Sequence, residues 1–135
     1  MTDHFKNAGE QFEKGLIVRQ SVLGEAYVNQ SLDAATGFTM DIQKLATEYC
    51  WGEIWSRPGL DRKSRSMINL AMITALNRPH ELKIHVRGAL NNGLTVQEIK
   101  EILLQTAIYV GLPAALESFR IAASVLDEAG VTTDE

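Results

Sequence analysis

The chain has 135 residues, of which 45% are hydrophobic and 22% are charged, so its composition is that of a globular protein rather than a disordered segment. Its 13 Lys and Arg residues and 17 Asp and Glu residues give a formal net charge of −4, which argues against a general nucleic-acid binder because such proteins need a basic face. The length fits one domain, and we predict a single domain over residues 1–135, with frayed ends at residues 1–6 and 131–135.

Apolar residues recur at helical spacing through most of the chain, and no alternating stretch is long enough to predict a sheet. In the first half, this spacing predicts helices from about Asn7 to Val22, from Ala26 to Ala35 and from Thr39 to Trp55. Breaks at Gly24 and Gly37 separate these helices.

The second half carries clear signals for where helices begin and end. The predicted starts are Asp61 as an N-cap, Pro79 in a first turn, and a capping box from Thr95 to Glu98. The predicted ends are Leu76, Asn91-Asn92-Gly93, Gly111-Leu112-Pro113 and Ala129-Gly130. The sequence therefore predicts an all-α fold, a compact bundle of about six or seven helices.

The helix predicted from Asp61 to Leu76 is apolar on every side. Met67 and Leu70 lie in one stripe, while Ile68 and Met72 occupy other faces. A helix that is apolar all round is buried all round, and in so short a chain that indicates burial between subunits.

Cysteine content and hydropathy predict where the protein works. Cys50 is the only cysteine, so no internal disulfide can form, and a reducing cytoplasm is the expected compartment. No apolar signal core follows the first residues, and the longest apolar stretch, Leu70 to Leu76, is too short to span a membrane. We expect a cytoplasmic protein with no membrane partner.

Glu81 and His85 stand four residues apart, so their side chains share one face of a predicted helix. A neighbouring carboxylate raises the pKa of an imidazole and orients it, which is typical of a proton donor near neutral pH. The alternative is an ordinary ion pair on the surface of an amphipathic helix.

A second candidate acid lies between two tryptophans, where Glu53 stands between Trp51 and Trp55, with Arg57 close behind. Indole walls lower the local dielectric, so a carboxyl group held between them could stay protonated near pH 7. The alternative is that both indoles are core or interface anchors and that Glu53 pairs with an arginine.

Three arginines are candidates for binding an anion. Arg65 leads into the apolar helix and Arg19 lies on the inner side of the first helix, so each would need a carboxylate partner from the protein or from a substrate. Arg87 either binds an anion or extends into solvent. No cluster of Cys, His or Asp has the spacing of a zinc site, so no metal is predicted.

Several segments, spread over nearly the whole chain, resemble the 4-carboxymuconolactone decarboxylase family of aromatic-acid catabolism. The Trp-Gly-Glu-Ile-Trp segment followed by the spaced His-x-Arg is fairly specific to this branch of the alkyl hydroperoxidase D-like superfamily. The resembling segments are Gly15–Arg19, Val22–Gly24, Trp51–Leu60, Arg65 with Leu70-Ala71, Glu81–Arg87, Asn91–Gly93, Glu98–Glu101 and Tyr109–Ala114.

The resemblance implies an alkyl hydroperoxidase D-like helical bundle that loses carbon dioxide from 4-carboxymuconolactone, giving 3-oxoadipate enol-lactone with no cofactor. It also implies a homohexamer, a trimer of dimers. Our site predictions are His85, Glu53 and Glu81 as catalytic residues, and Arg19, Arg65, Arg87, Trp51 and Trp55 as substrate-binding residues.

Two features limit the resemblance. The wider superfamily carries a C-x-x-C-x-x-x-H motif, and placing its histidine on His85 puts Arg78 and Glu81 at the two cysteine positions, which argues against thiol-dependent peroxide reduction. Arg120 stands where similar decarboxylases often carry histidine, so a related lactone could be the substrate. The remaining alternatives are a thiol-independent relative that acts on another lactone or on a peroxide, and a non-catalytic helical oligomer on the same scaffold.

Overall fold

The structure is a computed structural model that describes residues 3–134. Within this range its regular secondary structure consists of helices joined by short loops, without a strand, which confirms the all-α prediction. A 3-10 helix spans Asp3–Phe5, and a π-helix spans Ala46–Ile54. The α-helices are α1 (Glu10–Leu23), α2 (Glu25–Asp33), α3 (Met40–Leu45), α4 (Arg62–Leu76), α5 (Pro79–Asn91), α6 (Val96–Tyr109) and α7 (Leu112–Glu128).

Contacts between residues divide the chain after Leu60 into two compact units, each of which is described by itself below. The first unit holds α1, α2, α3 and the π-helix, and the second holds α4 to α7. The single domain inferred from chain length stays a prediction. Phe5 is buried and its ring stacks on Phe12, so the predicted fraying does not reach it, while residues 1, 2 and 135 lie outside the described residues.

In the first unit, α1 packs against the π-helix at a point where only glycine fits. A Cβ atom on Gly15 would lie 1.8 Å from the carbonyl oxygen of Thr47, and one on Gly52 would lie 2.8 Å from the side chain of Gln11. The missing side chains let the two backbones touch. This contact sets which residues of α1 face which residues of the π-helix.

The helix predicted from Thr39 to Trp55 is present, but its second half is a π-helix that continues directly from α3. The amide of Trp55 donates to the carbonyl of Cys50, five residues back, at 2.9 Å. Hydrophobic spacing did not distinguish this wider turn from an α-helix because apolar residues recur in both. Segments of π-helix are rare and are frequently found at functional sites.

The core of the second unit lies where α5, α6 and α7 meet α4. Leu70 of α4, Val86 of α5, Leu103 of α6 and Val125 of α7 are all 0–1% exposed. The predicted N-cap is confirmed, since the amide of Ser64 donates to the Asp61 carboxylate at 2.7 Å. The capping box from Thr95 to Glu98 is also confirmed, with both of its hydrogen bonds present.

The expectation that α4 is buried on every side is not met within this chain. Ser66, Leu70 and Thr74 are buried, whereas Ile68 and Met72 are 45% and 48% exposed. The reason is geometric, because only one face of α4 packs against the other helices of its unit. Burial of the opposite face between subunits stays a prediction. None of the helices among residues 3–134 combines the length and the apolar character needed to cross a bilayer.

Candidate functional site

The most enclosed charge in the first unit is the guanidinium of Arg19, on α1. Only 7% of this residue is exposed. Its Nη1 atom donates to Oε1 of Gln43 and to Oγ1 of Thr47, both at 3.0 Å. Both acceptors are neutral, and no carboxylate among residues 3–134 forms an ion pair with Arg19. The Nε atom is buried and has no hydrogen-bond partner in the same range.

Burial also perturbs the groups around Arg19. Loss of solvent lowers the pKa of Arg19, while the nearby Tyr27 and Cys50 oppose this change. Burial raises the pKa of the Cys50 thiol, against the opposing effects of Arg19 and of a hydrogen bond from Trp55. A raised pKa disfavours the thiolate, which is the reactive form, so this environment suits Cys50 to packing rather than to nucleophilic chemistry.

Trp51 and Trp55 do not enclose Glu53. The two indoles stack on each other, with ring centroids 4.7 Å apart, and they are 4% and 5% exposed. The Glu53 side chain is 50% exposed and lies 3.4 Å from the Nη1 atom of Arg57. The dry setting expected for a protonated acid is therefore not found around Glu53 in the first unit. The alternative, buried indoles and an ion-paired glutamate, describes this segment.

In the second unit, His85 lies half-buried on α5, and Val86 beside it is fully buried. Burial lowers the pKa of His85 below its ordinary value of 6.5, and the negative charge of Glu81 opposes this shift. Glu81 acts in the predicted direction, but desolvation is the larger effect because the imidazole is withdrawn from water. Burial therefore disfavours the charged imidazole of His85 in the free protein, which reverses the expectation of a raised pKa.

The other predicted cations of the second unit differ in their exposure. Arg65 is half-buried on α4, as expected of an arginine that leads into the core, and Arg87 is exposed on α5. Arg120 is exposed on α7 and forms an ion pair with Glu117, one turn earlier. Among residues 3–134, no group of three or more His, Cys, Asp or Glu side chains could hold a metal ion.

Comparisons with known proteins identify the family. The sequence model of the Carboxymuconolactone decarboxylase family matches residues 41–124. The chain is 40% identical over 129 residues to a 4-carboxymuconolactone decarboxylase of Acinetobacter baylyi, and the alignment covers 96% of each chain. The chain belongs to the carboxymuconolactone decarboxylase family. The sequence-based assignment is thus confirmed, and the helical fold agrees with it.

Two other relatives extend this comparison. A nitrosuccinic acid decarboxylase of Metarhizium robertsii is 44% identical over 117 residues, covering 87% of this chain and 82% of its own. An uncharacterized 15.0 kDa protein of Paracoccus denitrificans is 31% identical over 131 residues, covering 95% of this chain and 97% of its own. Two family members similar to this chain are thus named as decarboxylases of different substrates.

The eight predicted site residues of this family member fall in both units. Arg19, Trp51, Glu53 and Trp55 belong to the first, and Arg65, Glu81, His85 and Arg87 to the second. Sequence reasoning missed Gln43 and Thr47, which hold Arg19. Their spacing of four was the available signal, because it places two hydrogen-bond acceptors on one helix face.

Proposed function

We propose that this family member is a carboxy-lyase that converts 4-carboxymuconolactone to 3-oxoadipate enol-lactone and carbon dioxide without a cofactor, within the β-ketoadipate pathway of aromatic catabolism. The observation that carries this proposal is the 40% identity to the Acinetobacter baylyi decarboxylase over 96% of both chains. Alignment over the full length supports a shared reaction more strongly than a shared helical scaffold would, because function resides in sites rather than folds.

The reaction needs no electron sink from the protein. The bond between the ring carbon and the leaving carboxyl group breaks, and its electron pair passes through the ring double bond to the lactone carbonyl oxygen. A proton then adds to a ring carbon, and carbon dioxide departs. The protein has to desolvate the leaving carboxylate, hold the other one, stabilise the developing oxyanion and supply the proton.

His85 is the proposed proton donor, and its lowered pKa determines how it would act. A neutral imidazole is a poor acid, so His85 has to gain a proton before it can give one. A bound dicarboxylate favours the charged imidazole, because a nearby negative charge raises a histidine pKa. Glu81 already contributes in that direction. Substrate binding would therefore load His85 with the proton that it later transfers.

The remaining predicted residues keep supporting roles in this proposal. Arg19, Arg65 and Arg87 are the candidates for the carboxylates and the oxyanion, since a guanidinium matches a carboxylate in shape and charge. Trp51 and Trp55 are proposed to contribute apolar surface to substrate binding. Glu53 is exposed and pairs with Arg57, so we propose only an electrostatic role for it and not proton transfer.

A second candidate substrate is nitrosuccinic acid, favoured by the 44% identity to the Metarhizium robertsii enzyme. Both candidates are dicarboxylates that carry their own electron acceptor, a nitro group in one and an unsaturated lactone in the other. Incubating the purified protein with each compound, while following carbon dioxide release and the product, tests the proposal. We expect turnover of the lactone. Binding of the lactone without gas release would contradict the proposal and favour a non-catalytic module.

We also propose that the protein assembles as a homohexamer, a trimer of dimers, in the cytoplasm. Ile68, Met72 and Leu76 recur at intervals of four on α4 and are 45%, 48% and 64% exposed, so an apolar stripe on this helix is free to bury against another subunit. The single cysteine supports a reducing compartment. Light scattering should give six times the subunit mass of 14.9 kDa, and a monomer mass would contradict the assembly.

A further inference from the structure

Among the residues that the structure describes, the buried guanidinium of Arg19 has no counter-ion, and its Nε–H donor has no acceptor. Its Nη1 atom has two neutral acceptors, and its buried Nε atom has none among residues 3–134. A buried charge is stabilised only when it is paired and its donors are satisfied. The Nε–H donor therefore lacks an acceptor among the described residues, and an anion would supply both that acceptor and the missing negative charge. A carboxylate fits this requirement because it can bind an edge of the planar guanidinium.

Thr47 is held so that it can only accept from Arg19. Its hydroxyl group donates to the backbone carbonyl of Gln43 at 2.8 Å, which uses its single proton and leaves its lone pairs for Nη1 of Arg19. Gln43 contributes the second acceptor from one turn earlier on the same continuous helix. Because the guanidinium is rigid and planar, fixing Nη1 by two bonds also fixes the direction of the Nε–H bond.

The glycine contact places Arg19 beside these acceptors. Arg19 follows Gly15 by four residues, so both lie on one face of α1. Gly15 meets the backbone of Thr47, which brings Arg19 within reach of the Thr47 hydroxyl and of Gln43. The position of the guanidinium is thus set by backbone packing as well as by its hydrogen bonds.

We propose that Gln43 and Thr47 are positioning residues that hold Arg19 by Nη1, so that its Nε edge binds the carboxylate that stays on the product. This inference rests on the proposed decarboxylation. The leaving carboxylate loses its charge as carbon dioxide forms, so a strong ion pair to it would stabilise the substrate more than the transition state. A fixed arginine is better used on the carboxylate whose charge does not change.

Steady-state kinetics with 4-carboxymuconolactone test the positioning role. Thr47→Val should raise KM about tenfold, the effect of weakening one hydrogen bond to a charged group, with a much smaller change in kcat. Thr47→Ser should restore KM because it keeps the hydroxyl group. Thr106→Val is the matched control, since the buried Thr106 hydroxyl also donates to a carbonyl of its own helix but no arginine donates to it in the described structure. A fall in kcat without a change in KM would contradict the proposal.

A binding measurement that does not need turnover separates this inference from the proposed function. In ¹⁵N-labelled protein, the Nε–H signal of Arg19 is assigned by its loss in Arg19→Lys, and succinate is then titrated in. We expect a saturable shift with succinate and none with succinamide, which lacks the charge. If the lactone is not decarboxylated but succinate shifts the signal, the proposed function fails and the carboxylate site stands. If the lactone is turned over but succinate causes no shift, the inference fails.

Discussion

The Arg19 region of the first unit and the His85 region of the second each place a basic side chain away from water, but with different consequences. Burial is the largest influence on the pKa of both groups and lowers it in both. Arginine stays charged under all ordinary conditions, whereas a histidine with a lowered pKa loses its charge at neutral pH. The same physical effect therefore leaves one fixed charge and one group that can change its charge.

The neighbours of the two groups match this difference. Arg19 is held by Gln43 and Thr47, whose neutral oxygens fix its position without cancelling its charge. His85 has Glu81 nearby, one turn earlier on α5, and the glutamate favours the protonated imidazole without overcoming the effect of burial. We infer that the first region is suited to holding an anion and the second to moving a proton.

Breaking the glycine contact of the first unit should have the largest effect. Gly15→Ala places a methyl group where backbone atoms of Thr47 already lie, at 1.8 Å, so α1 and the π-helix must separate. We expect a loss of at least about 3 kcal/mol in the free energy of unfolding, at the upper end for an overpacked site. Urea denaturation followed by circular dichroism measures it.

The control for this change is Gly59→Ala in the same unit. A Cβ atom at Gly59 has no neighbour within 4 Å, and the residue has no positive φ. Its free energy of unfolding should stay within about 0.5 kcal/mol of the parent, as for most surface substitutions. Equal stabilities for the two variants would show that the backbones are not in contact at Gly15.

Removing the titrating group of the second unit should affect the reaction. We expect His85→Gln to lower kcat for the lactone at least about a hundredfold, the lower range for a general acid, because glutamine can hydrogen-bond but cannot deliver a proton. His80→Gln changes an exposed position on the same helix and is the control. This variant should turn over the lactone at the rate of the parent. Near-normal turnover by His85→Gln would remove His85 from the mechanism.

The smallest expected effect is a pH dependence of stability that belongs to His85. The pKa of His85 is lowered in the folded protein, so His85 binds a proton near pH 6.5 in the unfolded chain but only at a lower pH in the folded chain. The parent should therefore lose stability as the pH falls from about 7.5 to 5.5, and His85→Gln should lack that part of the loss. Urea midpoints for both proteins across this range measure the difference. A gap between them that stays constant with pH would contradict the assigned direction.

Much of the second unit was predictable from local sequence. Asp61, Pro79 and the Thr95–Glu98 box lie at helix starts in the structure, because a cap acts through neighbouring residues and needs no distant partner. The Glu81–His85 pair was also visible, since spacing within one helix determines that they share a face. The direction of the His85 pKa was predicted wrongly because burial depends on packing from other helices.

The first unit depended more on contacts between distant residues. The tryptophans were predictable as large apolar residues, but whether they enclosed Glu53 or stacked on each other depended on how the π-helix turns. The role of Gly15 could not be predicted from the local sequence either. A side chain is excluded there by the carbonyl oxygen of Thr47, which is thirty-two residues away in the chain. Arg19 was a candidate from its place on the inner side of α1, but its two acceptors were not.

By itself, the sequence determined the helical class, most helix ends, the family and the residue types available for chemistry, because these depend on short-range patterns and on segments shared with relatives. Only the tertiary structure decided which of those residues leave water and what they then touch. It placed Arg19 beside two neutral oxygens, exposed Glu53 to solvent and lowered the pKa of His85 by burial. The physical reason is that desolvation and hydrogen bonding depend on neighbours brought together by packing, which helical spacing alone does not specify.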